Sequence, residues 1–388
     1  MAKNKPALKR NFGLDLLRSV AISIVLINHA FIGFFLANGA ARWEGWKTAW
    51  SASAVFSIEW LFILSGFLIG SMMIRSFETR STWWGRARDF WLRRWFRTLP
   101  NYYLFLLVNV LLVAWGIAEG RFSFKFVVFS QNLAWAEDQP LFFAEAWSLA
   151  LDEWFYFVMP LLLGIAGLLI GSWGQRAFFI VALLLIAVPT VLRFTVAPAA
   201  GFFEWDAHIR RVTVMHLDAT GWGVLAAILS KWQPQWWARR AGTKAVLGAL
   251  LTLGAVVAMF SFMLHDWRWL AGGWLNDTLL IAMPAIGVVL LLPWLTSLQV
   301  RARWALWLAA RVGDYSYSVY LSHFPLVWVF NWGMRQAGLD FAAWSWVIVA
   351  LWVLTVFAVS ALVFHSFEKP LSDLRERFTR RVQAGPFG

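Results

Sequence analysis

The sequence contains no cysteine. Disulfide scaffolds, thiolate metal sites and cysteine nucleophiles are therefore excluded together. Charge is scarce as well. Asp, Glu, Lys and Arg make up 14% of the 388 residues, against roughly 25% in soluble domains. No histidine sits with a second and third ligand at helical spacing, so no metal site is expected. A glycine-rich phosphate loop of the Gly-x-x-x-x-Gly-Lys type is missing, which argues against ATP-driven work. Internal repeats and low-complexity linkers are missing too. What the chain has in excess is apolar surface: 60% hydrophobic residues, 34 Phe, 29 Trp and a mean hydropathy of +0.62. A water-soluble domain of this length would need far more polar surface to cover such a core. The chain reads as a polytopic membrane protein.

At about 20 apolar residues per crossing, ten spans are expected, near 14–37, 51–74, 99–118, 146–170, 177–197, 212–230, 245–264, 277–297, 315–336 and 343–365. The net charge of +13 would suggest nucleic acid in a soluble protein; here it sorts by membrane side. With the N-terminus inside, cytoplasmic segments hold 24 Lys and Arg and outer loops hold 7. This bias predicts an all-α transmembrane helix bundle, N-in and C-in. A basic cytoplasmic segment (1–13), a membrane domain (14–366) and a basic cytoplasmic tail (367–388) are expected, in a plasma (inner) membrane. Ala37-Asn38-Gly39-Ala40-Ala41 loosely imitates a signal cleavage site. Asp15, Arg18 and His29 interrupt the apolar stretch before it, so residues 14–37 are expected to stay as the first span.

Ionisable groups within spans are costly and mark candidate sites. Arg18 and His29 are 11 residues apart, so they share one face of the first span about 16 Å apart along its axis. One face thus offers a cation for an anion and an imidazole for a proton. The plainer alternative pairs Arg18 with Asp15 and packs His29 through a hydrogen bond. In the second span Gly66 and Gly70 suit a close helix crossing, and Ser65 is a candidate cavity residue. Arg93, Arg94 and Arg97 enter the third span at helical spacing, a fork suited to phosphate oxygens; lipid anchoring competes with that reading. The fourth span carries Ser148, Asp152 and Tyr156 at i, i+4, i+8, with Glu153 beside Asp152. One of these acids is positioned to orient an imidazole; a solvated helix start is the alternative. His323 reads mainly as a packing hydrogen-bond group and is kept with Ser65, Ser148 and Tyr156 as a substrate-facing candidate. His216 and His265 are expected to face water or an outer vestibule.

Taken in order, these pieces resemble the acyltransferase-3 family of integral-membrane O-acyltransferases. The resemblance rests on Leu14-Asp15-Leu16-Leu17-Arg18 with His29, Phe62 to Gly70, Arg94-x-x-Arg97, Trp147-Ser148-Leu149 through Tyr156, Tyr315 through Pro325, and Phe367-Glu368-Lys369-Pro370. It covers residues 12–372. It implies transfer of an acyl group, usually acetyl, from cytoplasmic acyl-CoA to a hydroxyl of a carbohydrate or glycolipid. Arg18 and His29 match the family's essential pair, and Arg94 and Arg97 its element for the acyl-CoA end. The family's usual Glu after Trp-Ser-Leu-x-x is Asp152 here, with Glu153 next to it. Some members carry an appended hydrolase-like domain; none is expected in this sequence, so the membrane domain or a partner would meet the acceptor. The expected partners are acetyl-CoA, the acceptor and membrane lipid, with no nucleic acid and no metal. Hydroxyl attack on a thioester needs a base near neutral pKa, which His29 supplies, either as general base or as a transient acyl carrier. A secondary transporter is the rival class; it predicts repeated halves with broken helices at matching positions. A non-catalytic scaffold would leave Arg18 and His29 unexplained.

Overall fold

The computed structural model describes residues 10–37, 44–77, 82–265 and 273–374. The outermost parts of the basic termini, the segment 38–43, Asp266 and the side chain of His265 lie outside the described residues. Among those residues the protein is a helix bundle with no strand. Its elements are α1 (Phe12–Ala30, continued by a π-helical turn Phe31–Leu36), α2 (Glu44–Phe77), α3 (Trp83–Ala114), α4 (Ala146–Ile170), α5 (Gln175–Arg193), α6 (Phe202–Trp205), α7 (Thr213–His216), α8 (Asp218–Trp232), α9 (Pro234–Ala238), α10 (Ala241–His265), α11 (Gly273–Ser297), α12 (Arg303–Ala337) and α13 (Phe341–Val363). Eight described helices are long and apolar enough to cross a membrane alone. The span expected at 315–336 lies within the 35-residue α12.

The span expected at 212–230 is not one straight helix. Residues Phe202–Arg210 and Thr213–Trp232 meet at a 98° bend. A bend of this kind strips backbone N–H groups of their helical partners, and such groups must be satisfied elsewhere. Here the Thr213 and Val214 N–H groups donate to the carbonyls of Asn132 and Leu133, at 2.8 and 3.0 Å. The partner carbonyls belong to the connection between α3 and α4. That connection is folded against the bundle. Tyr102 and Tyr103 of α3 donate to the carbonyls of Phe126 and Val127, and Trp154 of α4 donates to that of Phe129. Phe126, Phe129, Phe142 and Phe143 join Tyr102 and Phe105 in one buried aromatic cluster.

Helix ends follow local chemistry. Asn11 caps α1 by accepting from the Leu14 N–H, Thr82 caps α3 and Asp340 caps α13. Gly171 and Gly338 end α4 and α12 with φ of +69° and +62°. Helices α2 and α8 cross closely. A Cβ on Gly66 would lie 2.1 Å from the Thr220 carbonyl oxygen, and one on Gly223 would lie 2.1 Å from that of Ile63. Neither helix can retreat, because both belong to the largest buried cluster. Gly66→Ala should therefore destabilise the protein by about 1–3 kcal/mol, the usual cost of overpacking. Gly70→Ala, whose Cβ would meet side-chain carbon at 3.0 Å, should cost less. Thermal unfolding of both purified variants in one detergent checks the order.

Candidate active site

A cavity of about 170 Å³ opens between α1, α2, α3, α4 and α12. Arg18 of α1 and Arg94 and Arg97 of α3 line it, as do Asp152, Glu153 and Tyr156 of α4. Ser65, Ser148, Tyr317 and Tyr320 complete its polar wall. The stripe expected on α4 thus faces one cavity. The fork expected from three neighbouring arginines is different: Arg93 is exposed and does not line the cavity. Its place is taken by Arg18, from another helix. The reason is rotation, since only two of three residues at i, i+1, i+4 can lie near the centre of one helix face.

Arg18 does not pair with Asp15. Asp15 is held by the Arg10 Nε at 2.5 Å, and Arg10 also reaches Asp314 at 2.9 Å and the Ala310 carbonyl. Among the described residues no ion pair is formed by Arg18, Arg94 or Arg97. The Arg94 guanidinium lies over the Tyr156 ring, 4.9 Å from its centroid. Tyr156 Oη in turn shares a 3.0 Å hydrogen bond with Ser65. One oxygen of Asp152, Oδ1, is buried with no hydrogen-bond partner. Three guanidinium groups that form no ion pair among the described residues thus line this end of the cavity.

His29 lies three turns beyond Arg18 on α1. Its Nδ1 is 2.9 Å from Nε2 of His323, which is fully buried. Hydrogen-bond partners fix the protons here. His323 Nδ1 lies 2.6 Å from the Tyr320 carbonyl oxygen and 3.2 Å from that of Val319. A carbonyl only accepts, so Nδ1 carries the hydrogen and the neutral ring presents a lone pair at Nε2. His29 must then donate through Nδ1, and its own Nε2 keeps a free lone pair. The sequence assigns the orienting role to a carboxylate of the fourth span; the partner of His29 is His323 instead. Asp152 and Glu153 stay beside the arginines, and the α4 helix does not bring them to the imidazole. Tyr320 joins the two centres: its carbonyl holds His323, while its hydroxyl lines the cavity and meets Ser148 at 2.6 Å.

A second buried histidine centre was not expected. His216 is fully buried rather than facing water, because the bend before α7 turns it inward. Its Nδ1 bonds the Arg210 carbonyl oxygen, and its Nε2 lies 2.9 Å from Glu59 Oε2. The carbonyl claims the hydrogen on Nδ1, so a proton must also lie between Nε2 and the carboxylate. Arg210 Nη1 lies 4.0 Å from Glu59 Oε1. Arg210 and Arg211 both bind Asp206 at 2.6 Å, and Arg210 lies 4.5 Å over the Trp147 ring. Glu59 is the residue that sequence reasoning missed, although the rule on intramembrane ionisable groups points to it as the acid of the second span. Nearby, Arg193 grips Asp218 through both terminal nitrogens, at 2.7 and 3.1 Å.

The model of an acyltransferase domain, that of the acyltransferase-3 family, matches residues 11–364. The chain belongs to that family. A protein of Staphylococcus aureus (strain COL), provisionally named an O-acetyltransferase, is 26% identical over 164 residues, 39% of this chain and 24% of that protein. A protein of Bacillus subtilis (strain 168), provisionally named a peptidoglycan O-acetyltransferase, is 26% identical over 202 residues, 48% of this chain and 28% of that protein. The chain spans about a quarter of the length of these curated relatives. No solved structure matches at a significant level. In this family member Arg18, Arg94, Arg97 and Tyr156 line one cavity, and His29 is not among its lining residues.

The Glu59–His216 pair gives a stability test. Glu59→Leu leaves the buried His216 imidazole without its acid, while Arg210 keeps Asp206; a loss of about 3–5 kcal/mol is expected for a buried pair. Glu59→Gln supplies an amide N–H donor to the Nε2 lone pair of a neutral His216 and should recover most of it. Melting temperatures of the two variants, followed by tryptophan fluorescence in detergent, should therefore fall well apart.

Proposed function

We propose that this protein moves an acetyl group from cytoplasmic acetyl-CoA to a hydroxyl of a carbohydrate or glycolipid at the outer side of a plasma (inner) membrane. One observation carries the reading: a cavity with three unpaired guanidiniums at one end leads, through Tyr320, to a histidine pair with a free Nε2. In this reading Arg94 and Arg97 hold the phosphates of the donor, and Arg18 holds the part of the donor nearer the reacting thioester. The basic bias of 24 to 7 supports an N-in, C-in arrangement that sets these arginines on the cytoplasmic side. The names of the relatives, one for peptidoglycan, support a polysaccharide acceptor.

The chemistry then runs as follows. His29 Nε2 takes the proton of the acceptor hydroxyl as the new O–C bond forms and the C–S bond breaks; the imidazolium returns that proton to the leaving thiolate. His323 is a positioning residue that accepts from His29 Nδ1 and keeps Nε2 unprotonated. Asp152 and Glu153 face the arginines, where they balance charge when the donor leaves. A variant of the mechanism passes the acetyl group through His29 Nε2 itself. A transport reading finds one broken helix pair, with no second among the described residues.

Labelled acetyl-CoA and purified protein in micelles test this reading. Arg97→Lys should raise the KM for acetyl-CoA with kcat less affected, because Lys lacks the planar fork. Arg93→Lys should leave that KM unchanged; an equal rise in both would favour lipid anchoring over donor binding. His29→Ala should lower kcat by about 10²–10⁴-fold while donor binding survives. His323→Ala should also lower kcat, and His323→Gln, which retains an acceptor for His29 Nδ1, should restore part of it. Equal losses in the last two at equal melting temperature would remove His323 from the proton path.

A further inference from the structure

The connection between α3 and α4 encloses a second polar cavity of about 260 Å³, formed by residues 121–139. In sequence these residues follow the C-terminal end of α3. Arg97 and Ala114 are seventeen residues apart on that helix, about 25 Å along its axis. The connection folds back along that helix, because Tyr102, five residues after Arg97, donates to the carbonyl of Phe126, a residue that lines this cavity.

Its wall holds hydrogen-bonding atoms that no described residue satisfies. Gln131 is only 2% exposed, lines the cavity, and its Oε1 has no partner among the described residues. Both oxygens of Glu137 are likewise buried without partners. Such atoms cost free energy unless a ligand or water meets them. Their chemistry selects that ligand. The Gln131 oxygen needs an O–H or N–H donor. Glu137 is pushed up to about 8 by burial, with Asp138 adding and Arg211 opposing, so at neutral pH it offers one donor and one acceptor. A hydroxyl does both. Cations are disfavoured: Lys125 closes on Asp138 at 2.5 Å, and Arg121 stands at the rim. Phe122, 45% exposed, adds an apolar wall of the kind that packs on the C–H face of a sugar ring.

The cavity is also wired to the catalytic end of α4. Gln131 Nε2 donates to the Ala146 carbonyl, and Asn132 Nδ2 donates to that of Trp147. The next residue, Ser148, meets the Tyr320 hydroxyl. We propose that this cavity is the acceptor subsite, binding a neutral, polyhydroxylated carbohydrate through Gln131 and Glu137. The proposal rests on the acyl-transfer reading above for its role, but not for its binding chemistry.

Binding is tested without turnover. Gln139, which lines the cavity, is replaced by Gln139→Cys in this cysteine-free chain, and its reaction with a soluble maleimide is timed. Probes are chitotriose, maltotriose and mannotriose, with trilysine as a charge control. At least one sugar should slow labelling, trilysine should not, and adding Glu137→Ala should weaken that protection about tenfold in sugar concentration, the worth of one hydrogen bond. Failure of all three sugars, protection by trilysine, or protection indifferent to Glu137→Ala overturns the subsite. With the protecting sugar as acceptor, Glu137→Ala should raise the sugar KM more than the acetyl-CoA KM; an equal rise in both overturns the subsite. A protein that binds the sugar but never consumes acetyl-CoA overturns the acyl-transfer reading and keeps the subsite; the reverse result keeps the reading and removes the subsite.

Discussion

A charge carried into a helix bundle within hydrocarbon must find a counter-charge, a hydrogen bond or water, because the penalty otherwise runs to several kcal/mol. This protein meets that constraint in two different ways. Around α7 and α8 the charges are closed on one another. Arg193 grips Asp218, Arg210 and Arg211 share Asp206, and His216 meets Glu59. These sets pair acid with base across the bent helix pair and its neighbours. Around the cavity the charges remain open. Arg18, Arg94 and Arg97 gather with no carboxylate within ion-pair distance among the described residues. The bundle thus pairs its arginines around α7 and α8 and leaves Arg18, Arg94 and Arg97 without an ion pair among the described residues around the cavity.

The histidine pair follows from the same constraint at a smaller scale. Two imidazoles 2.9 Å apart cannot both be charged in a buried setting. The carbonyl of Tyr320 breaks the symmetry by claiming one N–H of His323. Each subsequent proton is then fixed in turn, ending at a bare Nε2 on His29. In this way α12 supplies the orientation that a carboxylate supplies in hydrolytic triads, without adding a negative charge to the site. The neutral pair suits a reaction that must accept and return a proton.

The connection between α3 and α4 is as much a structural element as the helices. It supplies carbonyls to the N–H groups that the bend before α7 exposes, and it takes hydroxyl and indole hydrogens from Tyr102, Tyr103 and Trp154. Its backbone is thereby satisfied while it packs among spans, the condition under which irregular chain is tolerated at such a place.

Much of this was legible in the sequence. Runs of about 20 apolar residues mark most of the spans, because hydrocarbon thickness sets a length. The 11-residue separation puts Arg18 and His29 on one face, and the spacing of four puts Ser148, Asp152 and Tyr156 on another, because helix periodicity is local. The paired small residues Gly66 and Gly70 announce a close crossing. Which residues meet across helices was another matter. His29 finds His323 from 294 positions away, Glu59 finds His216 from 157, and Arg18 displaces Arg93 from the basic cluster. Those pairings depend on the rotation and depth of each helix against its neighbours. Rotation and depth are decided by the packing of the whole bundle, as at Gly66 and Gly223, and no spacing within one segment encodes them.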